Sequence, residues 1–374
     1  MKILHIISGL ENGGAEAILY RILAEDKHNT HVIISLLDSG YYGSVFNKLG
    51  INVYLLNISN DKLKINSFLK LYRLIVDISP SIIQTWMYHA NLFGGLAAFF
   101  ARKKVIWGIH SSDLTLSKGT LSTYAVNRFC QLLSRTIPRD IVYCSEYAAK
   151  VHMDFGYSKI KASVIHNGVD TNWFKPDSEK RRKLRSEWLL NENDIIFGMV
   201  ARWDKNKDHL NLIQALSSIK LRIKRPWKCV LFGRSINNSN LILVELLKKY
   251  NLLDNFMLLG LSDDIPAIMN AIDLHILSSS SEAFGNTTIE AMSCGTPAIV
   301  TAVGAGELIV DNVGWSVPPS APNILGERIF KTVNLMEDNV KWDSLQLLCR
   351  ARIIENFSAK KMIESYRDIW GQYE

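Results

Sequence analysis

The chain has 374 residues, of which 48% are hydrophobic and 21% charged. That is neither a disordered nor a fibrous composition, and the length suits two ordinary domain cores better than one. Five scattered cysteines, Cys130, Cys144, Cys229, Cys294 and Cys349, form no Cys-x-x-Cys and no Cys/His cluster, which argues against a disulfide scaffold and a structural zinc site. The net charge of +7 lies in the first half: residues 1–165 hold 18 Lys and Arg against 11 Asp and Glu, whereas residues 166–374 hold 25 of each.

The opening MKILHIISGLENGG carries one basic residue and a short apolar stretch, without the features of a secretory signal. The longest lipid-like window, LFGGLAAFFA, stops at Arg102, far short of the roughly 18 apolar residues a spanning helix needs. A cytoplasmic chain is expected. The basic first half reads either as an ordinary solvated surface or as contact with an anionic membrane surface, peripheral on its inner face, through Lys62, Lys64, Lys70 and Arg73 or through Arg102 to Lys104. No nucleic-acid motif accompanies these charges, so nucleic acid is not an expected partner.

Residues 2–8 read as a buried strand, followed by a turn bearing Gly9, Gly13 and Gly14 and by the helical pattern AEAILYRILAED. Strand-like runs recur at THVIISLL, INVYLL, SIIQTW, KKVIWGIH, DIVYCS and SVIHNG, with helical stretches between several of them. Such alternation is the pattern of a parallel sheet covered on both faces. HNGVDTNWFKPD then breaks it, KRRKLRSEWLL follows as a helix, and a second alternation runs through IIFGMVAR, KCVLFG, FMLLG, LHILSSS, PAIVTA and WSVPP. The reading is an α/β chain of two doubly wound, Rossmann-like domains over 1–168 and 189–357, with a linker at 169–188 and a ligand expected in the cleft between them. The final helix, 358–374, fits on either domain, including back on the N-terminal one.

The segment SSSSEAFGNTTIEAMSCGTP begins where the strand LHIL ends, turns through Gly285 and enters a helix near Asn286 to Thr288, where small polar residues can cap. A helix N-terminus beyond a strand's carboxyl end offers backbone N–H groups and a positive dipole end to a phosphate. Glu282 and Glu290 bracket that turn, and a carboxylate can hold the vicinal hydroxyls of a sugar. Spacing alone carries little, since 16 glutamates in this chain give about 0.7 such pairs by chance. Glu179 and Glu187 share the spacing and read as a solvated helix face.

Arg202 and Lys207 follow the strand IIFGMV and suit a diphosphate; a surface pair with Asp204 and Asp208 as ion partners is the open alternative. GLENGG is not G-x-G-x-x-G, so a nicotinamide site is not expected although Asp38 follows the second strand, and close backbone approach to a ligand is the better use of Gly13 and Gly14. His110 ends a strand of the first half and is expected to face the cleft, and His89 is a second candidate; a lone histidine is more often structural, and that alternative stays open for both. No Asp-x-Asp occurs, so no metal is expected on a leaving diphosphate, whose charge falls to Arg202, Lys207 and the helix dipole.

Taken in order, GLENGGAE, HANLFGGLAA, VIWGIHSSD, VIHNGVDTNWFKP, GMVARWDKNKDHL, FMLLGLSDDIP and SEAFGNTTIEAMSCGTPAIVTAVGAGELI resemble the retaining glycosyltransferases of family 4 (glycosyltransferase group 1), whose GT-B architecture is two facing doubly wound domains. The resemblance covers nearly the whole chain. It implies a nucleoside diphosphate sugar as donor, with a uridine diphosphate sugar as the default, held by the C-terminal domain, no cofactor, and a saccharide or polyprenyl-diphosphate-linked acceptor against the N-terminal domain. Carried over, Glu282 holds the transferred sugar, Glu290 the ribose, and the backbone at Phe284, Gly285, Asn286 and Thr287 the sugar and diphosphate. Arg202 and Lys207 match the basic pair, His110 the histidine near the reacting sugar, and Gly13-Gly14 the glycine turn over the donor. Ala283 stands where glycine is usual and His166 where proline is usual. The implied function is a retaining, metal-independent hexosyl- or N-acetylhexosaminyltransferase of surface polysaccharide biosynthesis; the alternatives are a sugar-nucleotide epimerase on the same fold and a non-catalytic sugar-nucleotide-binding protein.

Overall fold

The structure, a computed structural model, describes residues 1–58, 65–112, 114 and 121–373. The chain divides into two compact units, residues 1–168 with 359–374, and residues 169–358. Lys62 and Lys64, which belong to one of the basic stretches above, lie outside the described residues.

The first unit is built on seven strands: β1 (Lys2–Ile7), β2 (Thr30–Ser35), β3 (Asn52–Leu55), β4 (Ile82–Trp86), β5 (Val105–Ile109), β6 (Asp140–Tyr143) and β7 (Ala162–Val164). They pair in parallel in the order 3-2-1-4-5-6-7. The central strands are buried along nearly their whole length, which is why they read as continuous apolar runs rather than alternations. The helix Gly14–Glu25 turns Ile18, Leu19, Ile22 and Leu23 into the core, one stripe of a 3.6-residue repeat.

The terminal helix Ala359–Gly371 belongs to this unit, which closes a choice the sequence leaves open. Its Met362, Ile363, Tyr366, Ile369 and Trp370 join β1, β2 and β4 side chains in one core, and Arg367 bonds to Asp26.

The second unit carries β8 (Ile195–Val200), β9 (Trp227–Phe232), β10 (Phe256–Leu258), β11 (Leu274–Leu277), β12 (Ala298–Thr301) and β13 (Trp315–Val317), parallel in the order 10-9-8-11-12-13. Residues 169–188, read as a linker, are built into this unit. The reason is electrostatic: Arg181 and Arg185, on the helix Ser178–Glu187, each donate to Asp273 at 2.6 Å, and the buried Arg185 also donates to the Ala271, Asn191, Glu192 and Asp194 carbonyls.

Both units share one topological property. The chain leaves its first strand for one edge of the sheet and later returns to that strand's other side, so β1 and β4 are neighbours in one unit and β8 and β11 in the other. Connections leave the carboxyl ends of such a pair toward opposite faces, which opens a crevice where doubly wound sheets bind ligands.

Candidate active site

In the second unit, the residues expected to carry chemistry converge on the switch point between β8 and β11. The chain leaving β8 passes Arg202 and forms a short 3-10 turn, Lys205–Lys207. The chain leaving β11 passes Ser278 to Gly285 and enters the helix Asn286–Ser293. The two are stitched together. The Ser278 hydroxyl donates to the Lys207 and Asp208 carbonyls at 3.2 and 3.0 Å, and the Ser280 N–H donates to the Asn206 carbonyl at 2.8 Å.

That stitching sets Lys207 against Glu282. The Lys207 ammonium donates to Glu282 Oε1, which also accepts the Ser279 hydroxyl at 3.1 Å. Their side chains are 22% and 13% exposed, so the pair is shielded yet reachable. Glu290, within the helix that follows, is buried at 8% exposure. Glu179 and Glu187, at the same spacing, are both exposed, so context rather than spacing separates the two pairs.

One expectation needs correction. The helix was expected to start on a small polar side chain; its N-cap is Gly285, in the left-handed region at φ 108°, with no side-chain cap bond. A Cβ is disfavoured in that conformation, and the backbone turn itself delivers the chain into the helix. Arg202 and Lys207 stand in different surroundings: Lys207 bonds to Glu282, while Arg202 is 62% exposed and donates to Asp204 at 3.1 Å. Burial works to raise the Asp204 pKa, but the Asn206 N–H and Arg202 hold it below the usual carboxylate range. Asp208 is no ion partner of the pair; it caps the next helix, accepting from the Asn211 N–H at 3.2 Å.

Sequence reasoning missed three groups here: Ser279, the Asn206 carbonyl and Gly304. Gly304 has φ +61°, and a Cβ there would lie 2.6 Å from the Glu282 carbonyl oxygen. Its glycine in AVGAGE was the available signal. Phe284 is buried against Phe357, ring centroids 5.9 Å apart, so its side chain anchors the turn from below. Thr287 follows on the first helical turn, half-buried.

In the first unit, His110 follows β5. Its imidazole stacks on the Trp86 indole, centroids 5.2 Å apart and planes within 22°, and its backbone N–H points at Met87 Sδ at 3.4 Å. The Tyr366 hydroxyl lies 3.5 Å from His110 Nε2. Burial draws the His110 pKa down to about 4, with the Asn167 side chain acting the other way. The ring is therefore neutral at physiological pH. His89 is half-buried on the helix Met87–Phe100, its pKa lowered by burial. Gly13 is the N-cap of the helix Gly14–Glu25, and a Cβ on it would meet the Glu16 carboxylate at 2.3 Å. The glycine turn thus makes room for Glu16, whose pKa is raised by burial.

Among the described residues, no helix is long and apolar enough to cross a membrane, and no cluster of three His, Cys, Asp or Glu is arranged to hold a metal ion.

Residues 13–173 match Glycosyltransferase Family 4 and residues 180–344 match Glycosyl transferases group 1. The chain is a family 4, group 1 glycosyltransferase. This family membership covers both units. The chain is 25% identical over 319 residues to the UDP-Gal:alpha-D-GlcNAc-diphosphoundecaprenol alpha-1,3-galactosyltransferase of Escherichia coli, covering 81% of this chain and 78% of that one. It is 24% identical over 328 residues to the capsular polysaccharide biosynthesis glycosyltransferase CapM of Staphylococcus aureus, covering 83% and 81%. The fold matches crystal structures of Anabaena HepE in complex with UDP and with UDP-glucose, both at TM-score 0.86 over the full length of both chains, with 21% and 22% identity. The glycosyltransferase keeps the GT-B architecture of two Rossmann-like domains.

Proposed function

We propose that this glycosyltransferase moves a sugar, with retention, from a nucleoside diphosphate sugar to a saccharide or polyprenyl-diphosphate-linked acceptor in surface polysaccharide biosynthesis. The observation that carries the reading is the Lys207–Glu282 pair at the β8–β11 switch point, beside a helix that begins on a left-handed glycine. Glu282 can accept from sugar hydroxyls while Lys207 meets the diphosphate, and the helix dipole adds positive potential at the same place. Arg202, exposed and turned to Asp204, is a second cation for the diphosphate. Glu290 is assigned to the ribose, and the backbone at Phe284 to Thr287 to the sugar and diphosphate. On the first unit, His110 is assigned to the reacting sugar and the Gly13-Gly14 turn to the donor. Neutral His110 can donate or accept one hydrogen bond without adding charge.

The donor is taken as a uridine diphosphate sugar, in keeping with the UDP and UDP-glucose named for the Anabaena protein and the UDP-Gal named for the Escherichia coli relative. The lipid-linked acceptor follows the diphosphoundecaprenol named for that same relative. Loss of the diphosphate is assigned to Lys207, Arg202 and the helix dipole rather than to a metal.

Glu282→Ala tests this reading. It should lower sugar transfer by about a hundredfold or more while the chain stays folded, because a carboxylate 13% exposed is not core packing, although the melting temperature falls somewhat as Lys207 loses its partner. Parent-like turnover by the variant removes the assignment. Isomerised donor formed without acceptor points instead to an epimerase.

A membrane part of the reading rests on three helices of the first unit that pack side by side, Ile65–Ile78, Met87–Phe100 and Leu121–Leu133. They expose Phe99 and Phe100, 57% and 61%, and Phe129 and Leu132, 57% and 63%. Lys70, Arg73, Arg102 and Lys104 are exposed on or beside them. Exposed apolar side chains and cations on neighbouring helices suit an anionic lipid surface. The full chain should float with phosphatidylglycerol vesicles and release in about 0.5 M salt; equal binding to phosphatidylcholine vesicles overturns the electrostatic part.

A further inference from the structure

A line of polar side chains crosses the core of the first unit and ends on the ring behind His110. His5 of β1 is 0% exposed, His31 of β2 is 8% and Asp26, at the end of the helix Gly14–Glu25, is 3%. Trp86, the last residue of β4, places Nε1 3.2 Å from His5 Nδ1. His5 Nε2 lies 3.0 Å from His31 Nδ1, and His31 Nε2 lies 3.2 Å from Asp26 Oδ2. The same carboxylate accepts Arg367 Nε and Nη2 at 3.0 and 2.8 Å, the His28 N–H at 3.0 Å and Asn29 Nδ2 at 2.9 Å.

This line has only one direction. An indole nitrogen can only donate, so His5 Nδ1 must accept and His5 must carry its proton on Nε2. That proton goes to His31 Nδ1, which places the His31 proton on Nε2, facing a carboxylate that can only accept. Each tautomer is dictated by the next group, from Trp86 at one end to Asp26 at the other. Protonating His5 at Nδ1 would set two donors against each other. The terminal helix closes the arrangement: Trp370 edges against both imidazoles at 5.9 Å, and Tyr366 lies 5.9 Å from the Trp86 ring.

Packing alone explains none of this, since apolar side chains of similar volume fill a core without the cost of burying a carboxylate and two imidazoles. What the line does is hold one plane. With Nε1 bonded and the ring buried, turning the indole about its side-chain torsions breaks that bond, and the His110 imidazole is stacked on it at 5.2 Å and 22°. We propose that Trp86 is a positioning residue for His110, and that His5, His31, Asp26 and Arg367 are the hydrogen-bonded line that locks it. This rests on the assignment of His110 to the reacting sugar.

The test is a double-variant cycle on the full chain. Trp86→Phe keeps an aromatic ring but deletes the Nε1 donor together with part of the buried indole volume; Asp26→Asn removes the charge that His31 and Arg367 face at the far end of the line. Each should lower kcat about tenfold or more, with the donor KM within about twofold. In a His110→Ala background, where turnover is already reduced, neither should lower it further, because both act through that ring. Equal losses in both backgrounds mean core packing only, and parent-like kcat in Trp86→Phe and Asp26→Asn means no role; either result overturns the proposal and leaves His110 standing. Parent-like turnover of His110→Ala removes the His110 assignment and the proposal together. Where a variant does not fold, nitrogen-15 spectra of the unaltered chain decide: His5 and His31 must both show protonated Nε2 and bare Nδ1, and a protonated Nδ1 on either overturns the line.

Discussion

Lys207 and Glu282 are bonded directly to each other, whereas Arg202 is paired with a different carboxylate and is mostly in solvent. Two cations five residues apart in sequence therefore sit in unequal surroundings. Removing Lys207 leaves a shielded carboxylate without its charge partner and removes a donor that has no freedom to be replaced by water at low cost. Removing Arg202 takes away a screened surface charge. Lys207→Ala is expected to lower kcat about a hundredfold and Arg202→Ala to raise the donor KM by less than about tenfold, in a salt-dependent way. A Lys207/Glu282 cycle should show coupling of roughly 1 to 3 kcal/mol in transition-state stabilisation. Steady-state kinetics at two ionic strengths checks this; additive Lys207 and Glu282 losses would mean that the two residues act apart.

The turn after β11 illustrates how little of an element's role lies in its own residues. The turn is held by hydroxyls of Ser278 and Ser280 from within and, from outside, by the loop after β12, where Gly304 packs on the Glu282 backbone. A methyl at residue 304 meets that backbone at 2.6 Å and also forces a non-glycine residue to φ +61°. Gly50→Ala is a fair control, since Gly50 has φ +75° with nothing within 4 Å of the added carbon; it carries the strain of about 1–2 kcal/mol and no clash. Gly304→Ala should cost more stability than Gly50→Ala and should lower sugar transfer, while Gly50→Ala leaves transfer unchanged. Melting curves and turnover of the two variants decide the matter; equal transfer in both would show that the loop tolerates displacement without moving Glu282.

At the scale of the molecule, the strand alternation was legible because parallel strands are buried on both faces, so IIFGMV and KILHII announce themselves without help from neighbours. The Glu282 turn was legible because its signals are local. The Arg202–Asp204 pairing, two residues apart, was open to a local reading, but the Lys207–Glu282 bond, 75 residues apart in sequence, was not, because it depends on which strands are neighbours and how the following turns diverge. Nor was the line from Trp86 to Asp26: each member reads alone as an ordinary core or surface residue. The terminal helix is the clearest case, since its apolar stripe fits any apolar face and only the fold supplies Asp26, Gln84 and His110 as partners for Arg367, Trp370 and Tyr366. That helix sinks Met362, Ile363, Tyr366, Ile369 and Trp370 to 8% exposure or less. At about 1.5–3 kcal/mol for each large apolar side chain, the contribution is on the order of 10 kcal/mol, comparable to the whole stability of an ordinary domain. A chain ending at Ser358 should therefore lose the unfolding transition of the first unit and keep that of the second, whose 169–358 boundary it leaves intact. Calorimetry of the full and shortened chains distinguishes the outcomes: two transitions of undiminished enthalpy in the shortened chain would mean that the helix adds little to the core it fills.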